Sequence, residues 1–367
     1  LRILHIVYRL PPERGGMELH VARLIRAQSL RGHELVVAHR RGECPQGAEP
    51  MPVRRTRVSR AVSWRFDEIS FAMECAAALP RVRRPDVVHL HGDHREALAL
   101  GSAARRLGVP LVLHVHGALA TRHRRIMPWA MRHVDEFIVA GTRPREDLLS
   151  TGVPDRLIRM TSGGLDLARL AAFRAGGRVR RGLIVSVGSL LEVKNHALTI
   201  EAFHRVRRHH PHARLVIAGD GPERDRLRRL AAAGPGIEFT GHIPPDSVYS
   251  LVSGAEILVH ASQRLPGVGE GIPNAALEAL ALGTAVLVSS DSSLDPAAPP
   301  DAYRMFRSRS ADDLAAQLDA LLTDDRARME MTERGLRAAA DLDWPLVAAK
   351  IERWYDAVAA RRAPAPA

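Results

Sequence analysis

Lysine is nearly missing from this chain. Only Lys194 and Lys350 stand among its 53 basic side chains, so the positive charge is carried almost wholly by arginine. Cysteine is reduced to Cys44 and Cys75, at neither metal-ligand nor redox spacing, which excludes a disulfide framework and a thiolate metal site and points to a reducing compartment. Aromatic residues make up 4% of the chain, the arginines are scattered through every segment, and no zinc-finger, RNP or basic-zipper pattern occurs, which together argue against a nucleic-acid partner. No run approaches the ~18 apolar residues of a membrane span. The opening LRILHIVY enters a strand at once and leaves no room for a signal peptide, so the expected location is the cytoplasm.

What is present is an ordinary globular composition with a net charge of +12, and arginine of this abundance suits phosphate and other anions. The 367 residues exceed the ~250–300 at which one core stops growing, so two domains are expected. Short apolar strands alternate with amphipathic helical stretches in both halves. The strands of the first half read RILHIVY, ELVVAH, DVVHLHG, PLVLHVHG, EFIVAG and LIRMTS; those of the second read GLIVSVG, ARLVIAGD, IEFTGHI, AEILVHAS and TAVLVSS. This order predicts an α/β protein of two Rossmann-like, doubly wound parallel-sheet domains facing a central cleft. The expected boundaries are residues 1–172 for the first domain, 173–181 (FRAGGRVRR) for a linker and 182–345 for the second. Residues 346–367 are expected to form a C-terminal helix packing back on the first domain, with a disordered tail.

Four places at strand ends carry chemistry. In RLPPERGGMELH, Gly15 and Gly16 let backbone N–H groups approach a ligand at a helix start, although a plain flexible turn reads equally well. His89, His91, His114 and His116 end two strands, with each pair on one face. A metal is one reading, but no Cys, Glu or Asp stands at ligand spacing, and a strand-end histidine before glycine, as in His116-Gly117, is placed to hydrogen-bond a sugar or phosphate. In VGSLLEVKN, Lys194 sits at a helix start, against the macrodipole preference by ~0.3–1 kcal/mol, which is sensible if lysine and helix together receive a phosphate. In PGVGEGIPNAALEALALG, Pro273 suits a first helical position, and the preceding GVGEGI leaves amides uncovered for a diphosphate. Glu278 then lies on an otherwise apolar helix and needs a partner, either a core arginine or a ligand hydroxyl such as a ribose.

With these residues in view, the chain resembles retaining glycosyltransferases of the GT-B fold, family 4, nearly end to end. The likeness is carried by the early glycine pair with its Met-Glu helix and RGHE, by His116-Gly117, by SGGLD before the linker, and by VGSLLEVKN, LVIAGDGPE, IEFTGHI and EGIPNAALE, which matches a Glu-x7-Glu signature. The resemblance implies catalytic roles for His116, Lys194 and Glu270. Glu270 would contact donor sugar hydroxyls, and Gly271, Ile272 and Pro273 would line the same sugar. Asn274 and Ala275 amides would hold the diphosphate, Glu278 the ribose, and Lys194 the departing phosphate, beside Gly188 and Ser189. Thr240, Gly241, His242 and Ile243 would border the base, while Gly15, Gly16 and His116 would close on phosphate and sugar. Two departures stand out: Ser189 replaces a common arginine, and VSSDSSLDP replaces a usual glycine pair.

The implied activity is transfer of a glucose-, N-acetylglucosamine- or mannose-type hexose from a nucleoside diphosphate sugar, UDP-linked, to a small-molecule, glycan or lipid-linked acceptor. It would proceed with retention and without metal or other cofactor, the nucleotide sugar being a co-substrate. An epimerase of the same fold, or a silent sugar-nucleotide or anionic-membrane binder, are the competing readings. TRHRRIMPWAMRH, residues 121–133, mixes basic and apolar residues as interfacial helices do, which allows peripheral contact with an anionic inner membrane face; an ordinary surface helix or acceptor wall fits as well.

Overall fold

The computed structural model describes residues 1–13, 16–117, 119, 123–176, 179–265 and 271–362. The chain divides into two compact units, one of residues 1–164 and 344–367 and the other of residues 165–343.

The first unit holds seven parallel strands: β1 (Arg2–Arg9), β2 (Glu34–Arg41), β3 (Glu49–Pro50), β4 (Val87–His91), β5 (Leu111–Val115), β6 (Glu136–Ala140) and β7 (Ile158–Thr161). Their order is β3-β2-β1-β4-β5-β6-β7, so the winding reverses between β1 and β4. Strand alternation sorts each strand's side chains to two faces. Leu4, Ile6, Val88, Leu90, Leu111 and Leu113 enter one core layer, with Phe71, Leu79 and Leu100. Ile3, Val7, Val87 and Val112 enter the other, under the helices Gly16–Leu30 and Trp344–Arg362, which contribute Val21, Leu24, Ile25, Trp344, Ile351 and Tyr355. His5, His89, His91 and His114 share the parity of this second layer and point into it. The C-terminal helix is therefore part of the first unit, and its Trp344 ring leaves room only for glycine at 164, where an added Cβ would lie 2.4 Å from the indole.

The second unit holds six parallel strands: β8 (Leu183–Val187), β9 (Arg214–Ala218), β10 (Ile237–Gly241), β11 (Ile257–His260), β12 (Ala285–Ser289) and β13 (Arg304–Phe306). Their order is β10-β9-β8-β11-β12-β13, and the reversal falls between β8 and β11. Two doubly wound parallel sheets on one chain are the GT-B architecture. One face of the second sheet packs helix His196–Val206, and the other packs helix Asn274–Leu282 through Ala276, Leu277 and Leu280.

The division between units falls at Gly164, not at the basic stretch 173–181. Residues 167–176 form a helix whose Leu170 is buried, with Leu167 and Phe173 packed on the core of the second unit. Apolar spacing in LARLAAF outweighs the glycines that follow it.

Candidate functional site

In the second unit the site forms where β8 and β11 part, the place at which a doubly wound sheet opens a crevice beyond its strand ends. The backbone after β8 interlocks with that after β9. The Gly188 amide donates to the Ala218 carbonyl and the Leu190 amide to the Asp220 carbonyl, each at 3.0 Å. A Cβ on Gly219, whose φ is +147°, would lie 1.9 Å from the Gly188 oxygen, and one on Gly221 would lie 2.6 Å from the Leu190 oxygen. The glycines of AGDGPE thus permit the close approach that shapes the loop carrying Lys194. The Gly219 amide in turn donates to the Gly241 carbonyl at 2.9 Å, which ties Thr240 and Gly241 to the same edge. His242 stands exposed beyond them, with Ile243 half-buried.

Lys194 ends a short 3-10 turn, and Asn195 at φ +50° starts helix His196–Val206. The Gly188 Cα hydrogen side faces the lysine stem, 3.6 Å from Cδ to a would-be Cβ. Burial lowers the Lys194 ammonium to about 8. Two histidines lie in its field. His196 is held at about 4 by burial and the Lys194 charge, and its Nδ1 lies 3.0 Å from Ser186 Oγ. His260, at the end of β11, is pushed well below the ordinary imidazole value by burial, then by Lys194 and His196. Neutral imidazoles leave the ammonium as the charge of this group. The Gln263 amide donates to the Val193 carbonyl at 2.8 Å, so the β11 loop braces the lysine turn. A pocket of about 450 Å³ opens beside this turn, lined by Glu192, Asn195, His196, Glu223, Arg226 and Gln263 among others.

Helix Asn274–Leu282 begins one residue later than its sequence suggests. Pro273 is its N-cap, and among the described residues no side chain accepts from the first-turn amides, which suits them to another acceptor. Asn274 is exposed and Ala275 half-buried; Gly271 is half-buried, Ile272 and Pro273 buried. Glu278 is half-buried, and the Tyr249 hydroxyl donates to its Oε1 at 3.2 Å. Tyr249 is set edge-on to Phe173, with ring centroids 5.5 Å apart. A tyrosine from a neighbouring helix thus joins the two partners the sequence offered, an arginine or a ligand. Glu270 lies outside the described residues, as does Gly15. Ser189 is exposed.

In the first unit, Gly16 opens helix Gly16–Leu30. His116 follows β5 and helps line a pocket of about 210 Å³ with Tyr8, Arg9, His91, Asp93, Arg95 and Glu96. His91 Nδ1 lies 3.0 Å from His116 Nε2. Burial, then the Asp93 charge, raises the Glu96 carboxyl well above its ordinary value, so this wall presents an acid that resists ionisation. Sequence reading did not single out Glu96, His196, His260, His5 or His20. The first three are visible only once strand ends are assembled, although His260 shares the strand-end signal that marked His116. Of residues 121–133, the stretch Met127–Ala130 forms a helix of a single turn, around which Ile126, Trp129, Arg124, Arg125 and Arg132 are exposed. Among the described residues, no helix is long and apolar enough to cross a membrane.

Comparison with known proteins gives two family matches in tandem: residues 14–169 match the model "Glycosyltransferase Family 4" and residues 172–337 match "Glycosyl transferases group 1". The chain belongs to glycosyltransferase family 4. This glycosyltransferase is 27% identical to a glycogen synthase of Mycobacterium tuberculosis, covering 99% of this chain and 95% of that one. It is 29% identical to a GDP-mannose-dependent alpha-(1-6)-phosphatidylinositol dimannoside mannosyltransferase of the same species, covering 80% and 81%. Among solved structures, Anabaena HepE in complex with UDP-glucose superposes with a TM-score of 0.73 at 14% identity, over 97% of this chain and 99% of that one, which establishes likeness of fold.

Proposed function

We propose that this glycosyltransferase moves a hexose from a UDP-sugar to an acceptor hydroxyl with retention at the anomeric carbon, and that no divalent metal holds the diphosphate. The observation that carries the reading is Lys194, a desolvated ammonium of pKa about 8 at the switch point of the second sheet. The hard step is departure of a diphosphate, and fixed donors aimed at developing charge are typically the largest catalytic contribution. Lys194 supplies a full charge to that oxygen, and the uncapped start of helix Asn274–Leu282 supplies oriented amides to the diphosphate.

The remaining assignments follow the family pattern. Glu278, which accepts from the Tyr249 hydroxyl, takes the ribose, Thr240 to Ile243 border the base, and Glu270 with Gly271 to Pro273 line the sugar. His116 contacts the transferred sugar, with Gly15 and Gly16 at the phosphate. The acceptor falls to the first unit, where the pocket containing Glu96, Arg9 and Arg95 offers both charge and an acid. Attack on the donor's front face lets the departing phosphate oxygen take the acceptor proton, which suits a site with no assigned nucleophile. Uracil is favoured by HepE, whose complex contains UDP-glucose, and guanine by the mannosyltransferase relative.

Thermal shifts with UDP-, GDP-, ADP- and TDP-sugars decide the base, since a ligand bound only by the folded chain raises its stability. A shift confined to GDP-sugars would refute the UDP assignment. Lys194→Ala is expected to cut turnover by ~10²–10³; near-normal turnover removes Lys194 from catalysis. The anomeric configuration of the product, read by NMR, tests retention.

A further inference from the structure

β1 and β4 are adjacent and parallel, with His5 directly opposite His89. Their shared parity points His5, His89 and His91 to the face covered by helices Gly16–Leu30 and Trp344–Arg362. One ring nitrogen of each lies within 4.8 Å of the others, and the three side chains belong to residues at most 2% exposed. The opposite ring nitrogens are all engaged. His5 Nε2 lies 2.8 Å from Gln28 Oε1, His89 Nδ1 lies 2.5 Å from the Tyr355 hydroxyl, and His91 Nδ1 lies 3.0 Å from His116 Nε2. The remaining nitrogens are His5 Nδ1 and His91 Nε2, which share a hydrogen bond of 3.0 Å that an ion would replace, and His89 Nε2, which is buried with no hydrogen-bond partner among the described residues.

We propose that His5, His89 and His91 form a buried site for one transition-metal ion of the zinc type. A metal-bound histidine has its second ring nitrogen fixed by an outer partner that sets tautomer and orientation. Here three histidines have such partners, on a strand pair, two helices and the turn after β5. A tetrahedral zinc with Zn–N of about 2.0–2.1 Å sets ligand nitrogens about 3.3–3.4 Å apart; His5 Nδ1 and His91 Nε2 stand 3.0 Å apart, and His89 offers a nitrogen within 4.8 Å of the other two ligand atoms. Three neutral imidazoles with no carboxylate or carbonyl in the group favour zinc, cobalt, nickel or copper over magnesium or calcium. The fourth position falls to a water, which on zinc ionises near pH ~7 and offsets part of the buried charge.

The metal site is independent of the UDP-sugar reading. Its consequence for the first unit is a tautomer. With Nε2 on the metal, His91 carries its proton on Nδ1 and donates to His116 Nε2. His116 then keeps its own proton on Nδ1, which makes it a fixed donor.

The test uses the full chain expressed in zinc-supplemented medium, with metal content measured by mass spectrometry after gel filtration, and the chelator-stripped chain titrated with cobalt(II). One zinc per chain and the visible absorption of a four-coordinate cobalt ion are expected. His89→Asn loses both, whereas His20→Asn, which lies outside the trio, keeps both. Tyr355→Phe leaves every ligand in place but removes the outer partner of His89, and is expected to weaken binding ~10–100-fold with the far-ultraviolet dichroism unchanged. Absence of zinc and of the cobalt spectrum in the wild-type chain overturns the proposal. So does retention of the ion by both His5→Asn and His89→Asn, or its loss in His20→Asn alone.

Discussion

Lys194 is protonated below about pH 8 and loses its charge above it, because burial disfavours the ammonium. If it neutralises the departing phosphate, kcat/KM falls as pH rises through about 8 in the unliganded enzyme. Arginine keeps its charge throughout, so Lys194→Arg is expected to retain a measurable rate while losing that alkaline limb. An alkaline limb that survives unchanged in the variant assigns it to another group. Glu278 makes a separate prediction. Glu278→Gln is expected to weaken UDP binding ~10-fold, in line with losing a hydrogen bond to a charged acceptor, with kcat little changed. Tyr249→Phe should reproduce a few-fold part of that loss, read by calorimetric titration. Lys194 was legible in sequence because lysine is scarce and this one stands just before a helix. His5 and His20 were not, because nothing in a linear chain says that β1 lies against β4, or that helix Gly16–Leu30 crosses the same face.

At the scale of elements, alternation of apolar runs located every long strand, since strands buried on both faces read as continuous Val, Ile and Leu. β3 (Glu49–Pro50) and β13 (Arg304–Phe306) escaped, being edge strands of two and three residues with no apolar run to mark them. The helix at 167–176 was hidden for the opposite reason: a glycine- and arginine-rich ending masked the apolar spacing before it. The loops after β8 and β9 were legible only as motifs. The structure supplies the cause, which is backbone packed on backbone at Gly188, Gly219 and Gly221. Gly219→Ala is therefore expected to destabilise the second unit by about 1–3 kcal/mol from its positive φ alone, and more from the clash with the Gly188 oxygen. A lowered melting temperature together with weakened nucleotide binding is the expected signature. An unchanged melting temperature would mean that the two loops can part without cost.

At the scale of the molecule, the C-terminal helix returns to the unit with which the chain began, while residues 165–343 form the other unit without interruption. Trp344, Val347, Ile351, Tyr355 and Val358 are buried on the first sheet's helical layer. At about 1.5–3 kcal/mol for each large apolar side chain, their removal costs on the order of 10 kcal/mol. A whole domain is stable by only ~5–15 kcal/mol. The same helix brings Arg361 to Glu136, a carboxylate 1% exposed that Arg159 also meets, and Arg362 to Asp135 at 2.8 Å. Ending the chain after Asp343 leaves Glu136 with half its countercharge and strips the cover from Val21, Leu24, Ile25 and the histidine layer. The truncated chain is expected to lose hydrogen-exchange protection throughout β1 to β7 while β8 to β13 stay protected, since, among the described residues, the second unit's core draws on none beyond Asp343. Protection retained in β1, β4 and β5 of the truncated chain would show that the first sheet is stable without the returning helix. Loss of protection in both units would instead make the helix a determinant of the whole chain's folding.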